Sequence, residues 1–297
     1  MRLRVFTTMW FGWAPIAAQT VLAPEVLQLA PIKQHMKQRL EQMPNYHEPQ
    51  LLVKWPVCPL VEGTPLSDRL LRVGLIVPSS NTVMEPDFHR HMGKTAVVST
   101  TRIFLKDVTR DQELAMLEND LPRAVELIRT TAPDVVVFGC TSAGALGTLA
   151  HDEGIGERIR RGAGAPVVTV LGAVVSKVRA IDPRRIAVFT PYTDDLTSRI
   201  ASSLTEAGYP PIQAVGMGIR ANLDIGRVPT PEVIRFVESR MEGCSPDCVF
   251  LSCTNWQSTA AIESLQAKLG VPVLTSNQAA MDAVLRLAAA AGSTQGG

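Results

Sequence analysis

The chain has 297 residues, of which 46% are hydrophobic, 19% charged and 5% aromatic, a composition typical of a globular protein. Its net charge of +1 excludes the strong field that draws basic proteins to nucleic acids or anionic membranes. No stretch is long and apolar enough to span a bilayer, so neither nucleic acid nor membrane is an expected partner. The odd number of cysteines, five, argues against a disulfide framework and predicts a cytoplasmic location.

Residues 1–70 differ in composition from the rest of the chain. They contain three of the four tryptophans and eight prolines, and they show no alternation of strands and helices. The apolar run Val5–Ala18 follows a basic start and weakly resembles a secretory signal, but Trp, Gly and Pro interrupt it. We therefore predict that residues 1–70 are an N-terminal extension outside the core and poorly ordered.

From Leu71 onward, short β-branched runs alternate with helical patterns. The predicted strands, in chain order, are Val73–Val77, Ala96–Phe104, Val135–Phe138, Val167–Val170, Ile186–Phe189, Ala214–Met217, Val249–Leu251 and Val273–Thr275. The clearest helix is Gln112–Arg129, whose apolar face is predicted to consist of Leu114, Met116, Leu117, Leu121, Val125 and Leu127. Strands that alternate with helices predict βαβ units and parallel sheets, which is the α/β class.

An internal repeat divides this region into two halves. Its two copies read PDVVVFGCT, which begins at Pro133, and PDCVFLSCT, which begins at Pro246. The same spacing separates Pro78 from Pro191, each of which follows a predicted strand. The repeat predicts two pseudo-symmetric, doubly wound α/β halves with parallel sheets, residues 71–180 and 181–292, with the active site between them.

The ends of three predicted strands are rich in small polar residues. They are Pro78–Thr82, Gly139–Gly144 and Ser252–Asn255. Ligands bind outside the carboxyl ends of strands in open α/β sheets. Each loop taken alone is explained by helix capping. Together, the loops predict a pocket for a small anion, because free N–H groups at helix N-termini favour carboxylates and phosphates.

Two of these loops carry a cysteine, Cys140 and Cys253, at equivalent positions of the repeat. A single cysteine at the end of a buried strand is usually only a small apolar side chain. A symmetric pair facing one pocket instead indicates thiol chemistry, either proton transfer or covalent addition and elimination. We further expect the helix N-termini to lower the pKa of both thiols.

Other chemistries find no support in the sequence. Cys244 and Cys248 are spaced as Cys-x-x-x-Cys without a second pair of ligands, so no metal site is predicted. Gly154-x-Gly156 follows a helical stretch and is therefore not a dinucleotide fingerprint, and no Walker A pattern is present. No cofactor is expected.

The segments VGLIVPSSNTVMEPDF (73–88), FGCTSAG (138–144) and SCTNWQS (252–258) resemble those of maleate cis–trans isomerases. These belong to the aspartate/glutamate racemase superfamily, in which arylmalonate decarboxylases are related. The resemblance covers about residues 71–292 and implies an isomerase that converts maleate or a related cis-diacid to the trans form without a cofactor. It also implies a homo-oligomer, typically a dimer, and a small dicarboxylic acid as the partner.

The resemblance assigns roles to individual residues. Cys140 corresponds to the cysteine that attacks the double bond, and Cys253 corresponds to the thiol that handles the proton. Asn81, Tyr192 and Asn222 correspond to side chains that contact substrate carboxylates. Further donors to the substrate are expected from Ser80, Thr141, Ser142 and Thr254.

Three other functions are compatible with the same residues. Two cysteines suit an amino-acid or hydantoin racemase equally well, whereas decarboxylases of arylmalonates usually keep one cysteine. A protein that binds a small acid without catalysis would use Cys140 and Cys253 only as core residues. The acidic pair Asp194 and Asp195 beside Tyr192 would repel a dianion unless it points away from the pocket.

Overall fold

A computed structural model describes residues 70–293 of the chain, without the side chains of the last two. The predicted N-terminal extension lies outside the described residues, apart from its last residue. No helix within the described region is long and apolar enough to cross a membrane.

The first half of the described region contains four strands and six helices. Its strands are β1 (Leu71–Pro78), β2 (Ala96–Ile103), β3 (Val135–Phe138) and β4 (Val167–Thr169). Its helices are α1 (Met84–Met92), α2 (Arg110–Ala115), α3 (Leu121–Arg129), α4 (Thr141–Gly144), α5 (Leu149–Ala163) and α6 (Val170–Ile181). A π-helical turn, Met116–Asp120, joins α2 to α3.

The second half repeats this order with four strands and five helices. Its strands are β5 (Ile186–Thr190), β6 (Gln213–Gly216), β7 (Cys248–Leu251) and β8 (Val273–Thr275). Its helices are α7 (Asp194–Glu206), α8 (Asn222–Arg227), α9 (Thr230–Glu238), α10 (Ile262–Leu269) and α11 (Ser276–Ser293), and a 3₁₀ turn at Thr259–Ala261 precedes α10.

Each half forms its own four-stranded sheet. The strand orders are β2-β1-β3-β4 and β6-β5-β7-β8, and every pairing within them is parallel. The central strands β3 and β7 are buried along their whole length, as expected for parallel strands with helices on both faces. The predicted fold of two pseudo-symmetric α/β halves is confirmed.

The repeat in the sequence is also a repeat in the structure. Strand β3 covers 135–138 and strand β7 covers 248–251, so both ends keep the spacing between Pro133 and Pro246. Strands β2 and β6 end at Ile103 and Gly216, again at that spacing. Residues that occupy the same position in the two copies of the repeat therefore lie at equivalent strand ends.

One prediction about the helix after β2 is wrong in detail. Leu114 and Leu127 are 37% and 45% exposed, so they do not belong to its buried face. The buried face instead includes Glu113 before the π-helical turn and Ala124 and Ile128 after it, and the last two are one helical turn apart. Leu114 and Leu127 lie beside the buried face, and their apolar side chains led to the wrong assignment.

Helices α6 and α11 pack against each other across the two halves. Between them, the Lys177 ammonium lies 2.6 Å from a carboxylate oxygen of Asp282, and both side chains are largely buried. The last helix, α11, therefore packs on the first half through α6 as well as on strand β8 of its own half.

Candidate active site

The two cysteines predicted to be catalytic lie close to the interface between the halves. Cys140 follows β3 and Cys253 follows β7, and they are 4% and 3% exposed. Their chain neighbours are in direct contact, because the Thr254 hydroxyl donates a hydrogen bond of 3.0 Å to the carbonyl of Gly139. The carboxyl ends of the two sheets therefore meet at the cysteines.

Asn81 connects the end of β1 to the second cysteine loop. Its side-chain oxygen accepts hydrogen bonds of 3.0 Å from the backbone N–H groups of Val83 and Met84, which caps the start of α1. Its amide nitrogen donates to the Thr254 hydroxyl at 3.0 Å. An amide nitrogen has two hydrogens, so one N–H of Asn81 remains for a ligand.

Ser80 and Asn222 are brought together by two loops that pair across the halves. The backbone N–H of Val108 donates to the carbonyl of Arg220 at 2.9 Å, and that of Asn222 donates to the carbonyl of Lys106 at 3.1 Å. The Asn222 amide then donates to the Ser80 hydroxyl at 2.8 Å. These loops follow β2 and β6, which are equivalent strands of the repeat.

Three of the predicted substrate contacts already donate their hydroxyl hydrogens to protein acceptors. Ser80 donates to the carbonyl of Leu105 at 2.5 Å and Thr141 to the hydroxyl of Ser276 at 3.1 Å, while Thr254 donates to Gly139. A hydroxyl has one hydrogen to donate. These three side chains therefore hold the site together, and any donor they offer to a ligand would come from the backbone.

Asn255 is a further residue of this network that the sequence did not single out. Its side-chain oxygen accepts from the backbone N–H of Thr82 at 2.9 Å, and its nitrogen donates to the carbonyl of Asn222 at 2.6 Å. Asn255 is 1% exposed. Its position two residues after Cys253, within a motif rich in polar residues, is the signal that could have identified it.

We expect Asn255→Ala to lower the free energy of unfolding by about 2 kcal/mol, because it leaves the buried carbonyl of Asn222 without its donor and removes the acceptor of the part-buried Thr82 N–H. Denaturant unfolding measures this change. Asn119→Ala is the matched control, since Asn119 is exposed and surface substitutions usually change stability by no more than about 0.5 kcal/mol. Equal effects of the two substitutions would contradict the role of Asn255.

Both thiols are held in their neutral form in the structure. Burial raises the pKa of Cys140 to about 12 and that of Cys253 to about 11. The expectation that helix N-termini lower these pKa values is therefore wrong. The physical reason is that α4, which follows Cys140, has only four residues, and its weak dipole does not offset the loss of solvent around the sulfur.

Different side chains face the two sulfurs. A hydrogen bond from the Tyr192 side chain opposes the rise in the pKa of Cys253, and Tyr192 is itself 2% exposed. The Ser142 hydroxyl lies 3.5 Å from the sulfur of Cys140. Cys140, the predicted nucleophile, and Cys253, the predicted acid/base, therefore have different neighbours.

Glu113 is a buried carboxylic acid that the sequence prediction missed. It is 0% exposed, and its charge acts on Cys140, Cys253 and Tyr192. Burial raises its pKa to about 7. The available signal was its position, since Glu113 lies one helical turn before the apolar residues Met116 and Leu117 and so falls on the same face.

The acidic pair beside Tyr192 does not point into the site. Asp194 and Asp195 are both exposed, and Asp195 forms an ion pair of 2.8 Å with Arg199. The repulsion of a dianion that these residues could have caused is therefore weak. Within residues 70–293, no group of three or more His, Cys, Asp or Glu side chains is arranged to hold a metal ion.

The site occurs on a fold with known relatives. The profile of a family described as arylmalonate decarboxylase matches residues 73–297. The chain belongs to this family. The predicted membership in the group of maleate isomerases and arylmalonate decarboxylases is confirmed, and the maleate isomerases among the relatives indicate an enzyme of the isomerase class.

Relatives of this family member carry both names. A maleate isomerase of Geobacillus stearothermophilus is 27% identical over 229 residues, which cover 72% of this chain and 90% of that protein. An arylmalonate decarboxylase of Bordetella bronchiseptica is 28% identical over 217 residues, with 73% of this chain and 90% of that protein covered.

A solved structure adds information on the chemistry of this arylmalonate decarboxylase family. It is the maleate cis–trans isomerase of Nocardia farcinica, which superimposes with a TM-score of 0.68 at 25% identity and covers 74% of this chain and 93% of that one. In that protein one cysteine is replaced by serine, and a covalently bound succinylcysteine intermediate is present. The adduct there is therefore carried by a cysteine other than the replaced one.

Proposed function

We propose that this protein converts maleate or a related cis-diacid to its trans isomer by reversible addition of a cysteine sulfur to the double bond. The observation that carries the proposal is the pair of buried thiols, Cys140 and Cys253, at equivalent strand ends whose neighbours are hydrogen-bonded to each other. A double bond cannot rotate while its π bond is intact. Addition of a thiol leaves a single bond that can.

In the proposed reaction, the thiol proton of Cys140 moves to a base in the pocket, from which it returns at the end, and the sulfur forms a bond to one carbon of the double bond. The π electron pair moves to the other carbon, and that carbon takes a proton from the thiol of Cys253. After rotation about the carbon–carbon bond, the Cys253 thiolate removes a proton from the same carbon. The π bond forms again, and the bond between the sulfur and carbon breaks.

The negative charge of this reaction needs donors near both the sulfur and the carboxylates. The Tyr192 hydrogen bond opposes the rise that burial causes in the pKa of Cys253 and so stabilises the thiolate that forms there. We assign the carboxylates of the substrate to the unused amide N–H of Asn81 and of Asn222. Donors fixed in advance by the protein stabilise developing charge strongly, because they do not have to reorient during the reaction.

Two alternatives remain as outcomes of one experiment. The family name and the relative from B. bronchiseptica favour decarboxylation of an arylmalonate, and the paired thiols would also suit racemisation of an amino acid. The two thiols and the succinylcysteine of the N. farcinica enzyme favour isomerisation. The expected homodimer, the cytoplasmic location and the boundaries of the halves at residue 180 stay predictions.

The experiment is proton NMR of the purified protein with maleate, with an arylmalonate and with a set of amino acids in deuterated water. Formation of fumarate from maleate is the expected result. Loss of carbon dioxide from the arylmalonate without fumarate formation would replace the proposal with a decarboxylase. Deuterium at the α-carbon of an amino acid alone would indicate a racemase, and no change in any substrate would indicate a binding protein.

A further inference from the structure

The carboxyl group of Glu113 is buried beside the site without a hydrogen bond. Among the described residues, neither of its oxygens has a partner that meets hydrogen-bonding geometry. The Ser142 hydroxyl faces it closely enough to oppose the rise in its pKa. An unsatisfied buried carboxyl costs stability, and such a cost is typical of groups kept for a function.

Ser142 lies between this carboxyl and the sulfur of Cys140. Its hydroxyl is 3.5 Å from the sulfur, and either atom can be the donor. Helix α2, which carries Glu113, packs against α4, which carries Ser142. Cys140, Ser142 and Glu113 therefore form a row in which one hydroxyl separates a thiol from a carboxyl group.

The second half of the repeat has no such row at Cys253. The positions equivalent to Glu113 and Ser142 in that half are Gly226 and Asn255. The Asn255 side chain is engaged with Thr82 and Asn222, and a Cβ atom at Gly226 would lie 2.9 Å from its oxygen. No side chain fits there, so Cys253 has no carboxyl group of its own at the equivalent position.

The charged side chains that act on Glu113 come from two helices, α2 and α7. Arg110 on the same helix and Arg199 on α7 act to lower its pKa, but burial outweighs them and raises the value to about 7. The ionised carboxyl in turn raises the pKa values of Cys140, Cys253 and Tyr192. A thiolate and an ionised Glu113 are therefore unfavourable together.

We propose that Glu113 receives the thiol proton of Cys140 through the Ser142 hydroxyl as the sulfur adds to the substrate. Ser142 gives its hydroxyl proton to the carboxylate and takes the proton of the thiol, so the S–H bond breaks and an O–H bond forms. The steps reverse when the sulfur leaves. Glu113 acts through Ser142 and does not touch the substrate, so it is a positioning residue.

This transfer keeps the charge of the pocket constant. Before it, the carboxylate is negative and the thiol is neutral, and afterwards the carboxyl is neutral while the negative charge has moved to the sulfur and the substrate. The transfer avoids a buried Glu113 carboxylate beside a Cys140 thiolate, because two adjacent negative charges are strongly disfavoured at low dielectric. A proton acceptor whose pKa is near the working pH is also the most effective one.

The inference rests on the proposed function, but its first test needs no substrate. The rate at which iodoacetamide alkylates Cys140 is measured against pH by peptide mass spectrometry. In the wild type we expect the rate to rise through about pH 7 and to level off between about pH 8 and about pH 9, because the carboxylate is almost fully formed there. In Glu113→Gln and in Ser142→Ala the rate should keep rising by about tenfold per pH unit, as for an unassisted thiol.

Two further variants separate the relay from a structural effect. Glu118→Gln makes the same chemical change on an exposed neighbour, and it should keep the wild-type profile. Glu113→Asp keeps a carboxyl group at a shorter reach, and it should restore the levelling at a lower rate. Equal pH profiles of the wild type and Glu113→Gln, or no alkylation of Cys140 at any pH in the wild type, would overturn the inference.

The second test uses maleate. Glu113→Gln should lower kcat by about 100-fold, within the usual range for loss of acid–base assistance, while KM changes by less than about threefold. A change in KM with kcat intact would overturn the inference, since Glu113 would then only bind substrate. If the wild type levels off in alkylation but does not convert maleate, the proposed function fails and the inference about Glu113 stands.

Discussion

Replacing Cys140 with alanine is expected to lower kcat for isomerisation by about three orders of magnitude or more, because no other group then forms the covalent bond to the substrate. The loss should appear in the NMR assay as the absence of fumarate above the uncatalysed rate. Since Cys140 is buried, the smaller side chain should lower the free energy of unfolding only by about 1 kcal/mol.

Cys248→Ala is the matched control for this variant. Cys248 is also a buried, unpaired cysteine, but it lies in β7 at the end of the strand opposite to Cys253. The substitution should leave kcat within about twofold of the wild type at a similar cost in stability. Full activity of Cys140→Ala, or an equal loss in Cys248→Ala, would contradict covalent catalysis by Cys140.

Replacing Cys253 with serine is expected to stop turnover at the covalent adduct. The serine hydroxyl is a much weaker acid than the thiol, so the proton that completes the adduct comes from water. The serine also keeps its own hydrogen, so no base forms there to remove the proton from the adduct again. We expect kcat to fall by about 100-fold or more. Intact-protein mass spectrometry should show the mass of one diacid added to each chain after incubation with maleate.

The control for adduct formation is the double variant Cys140→Ala/Cys253→Ser. It should gain no mass, because the sulfur that adds to the double bond is missing. A gain in mass by the double variant would show that a third residue reacts with maleate. Turnover of the Cys253→Ser variant at the wild-type rate would show that Cys253 does not transfer the proton.

Much of the fold could be predicted because the repeat is recognisable in the sequence. The motifs that contain Cys140 and Cys253 are similar, and an equal spacing between further landmarks requires equal lengths of the elements between them. Parallel strands that are buried on both faces also give continuous apolar runs, which are easy to identify. Strands β3 and β8 were predicted with the bounds that the structure has.

The hydrogen-bond network of the site could not be predicted from the same patterns. Ser80 and Asn222 lie 142 residues apart and bond through loops whose course depends on tertiary packing. A sequence motif indicates that a serine or asparagine is polar, but not whether its hydrogens go to a ligand or to the protein. The structure directs the hydroxyl hydrogens of Ser80, Thr141 and Thr254 to protein acceptors.

The thiol pKa values and Glu113 were missed for a related reason. Both depend on how much water reaches the pocket, which follows from the packing of both halves and not from local sequence. The repeat by itself also treats the two cysteines as equals. The structure distinguishes them, because Ser142 faces the sulfur of Cys140 and Tyr192 acts on Cys253.

The most direct test of this account is to locate the covalent adduct. Cys253→Ser and Cys140→Ser proteins are incubated with maleate, quenched in acid and digested, and the modified residue is identified by peptide mass spectrometry. We predict a succinyl group on Cys140 in the Cys253→Ser protein and no adduct in the Cys140→Ser protein. A succinyl group on Cys253 in the Cys140→Ser protein, with Cys140 unmodified in the other, would contradict the assignment of Cys140 as the nucleophile.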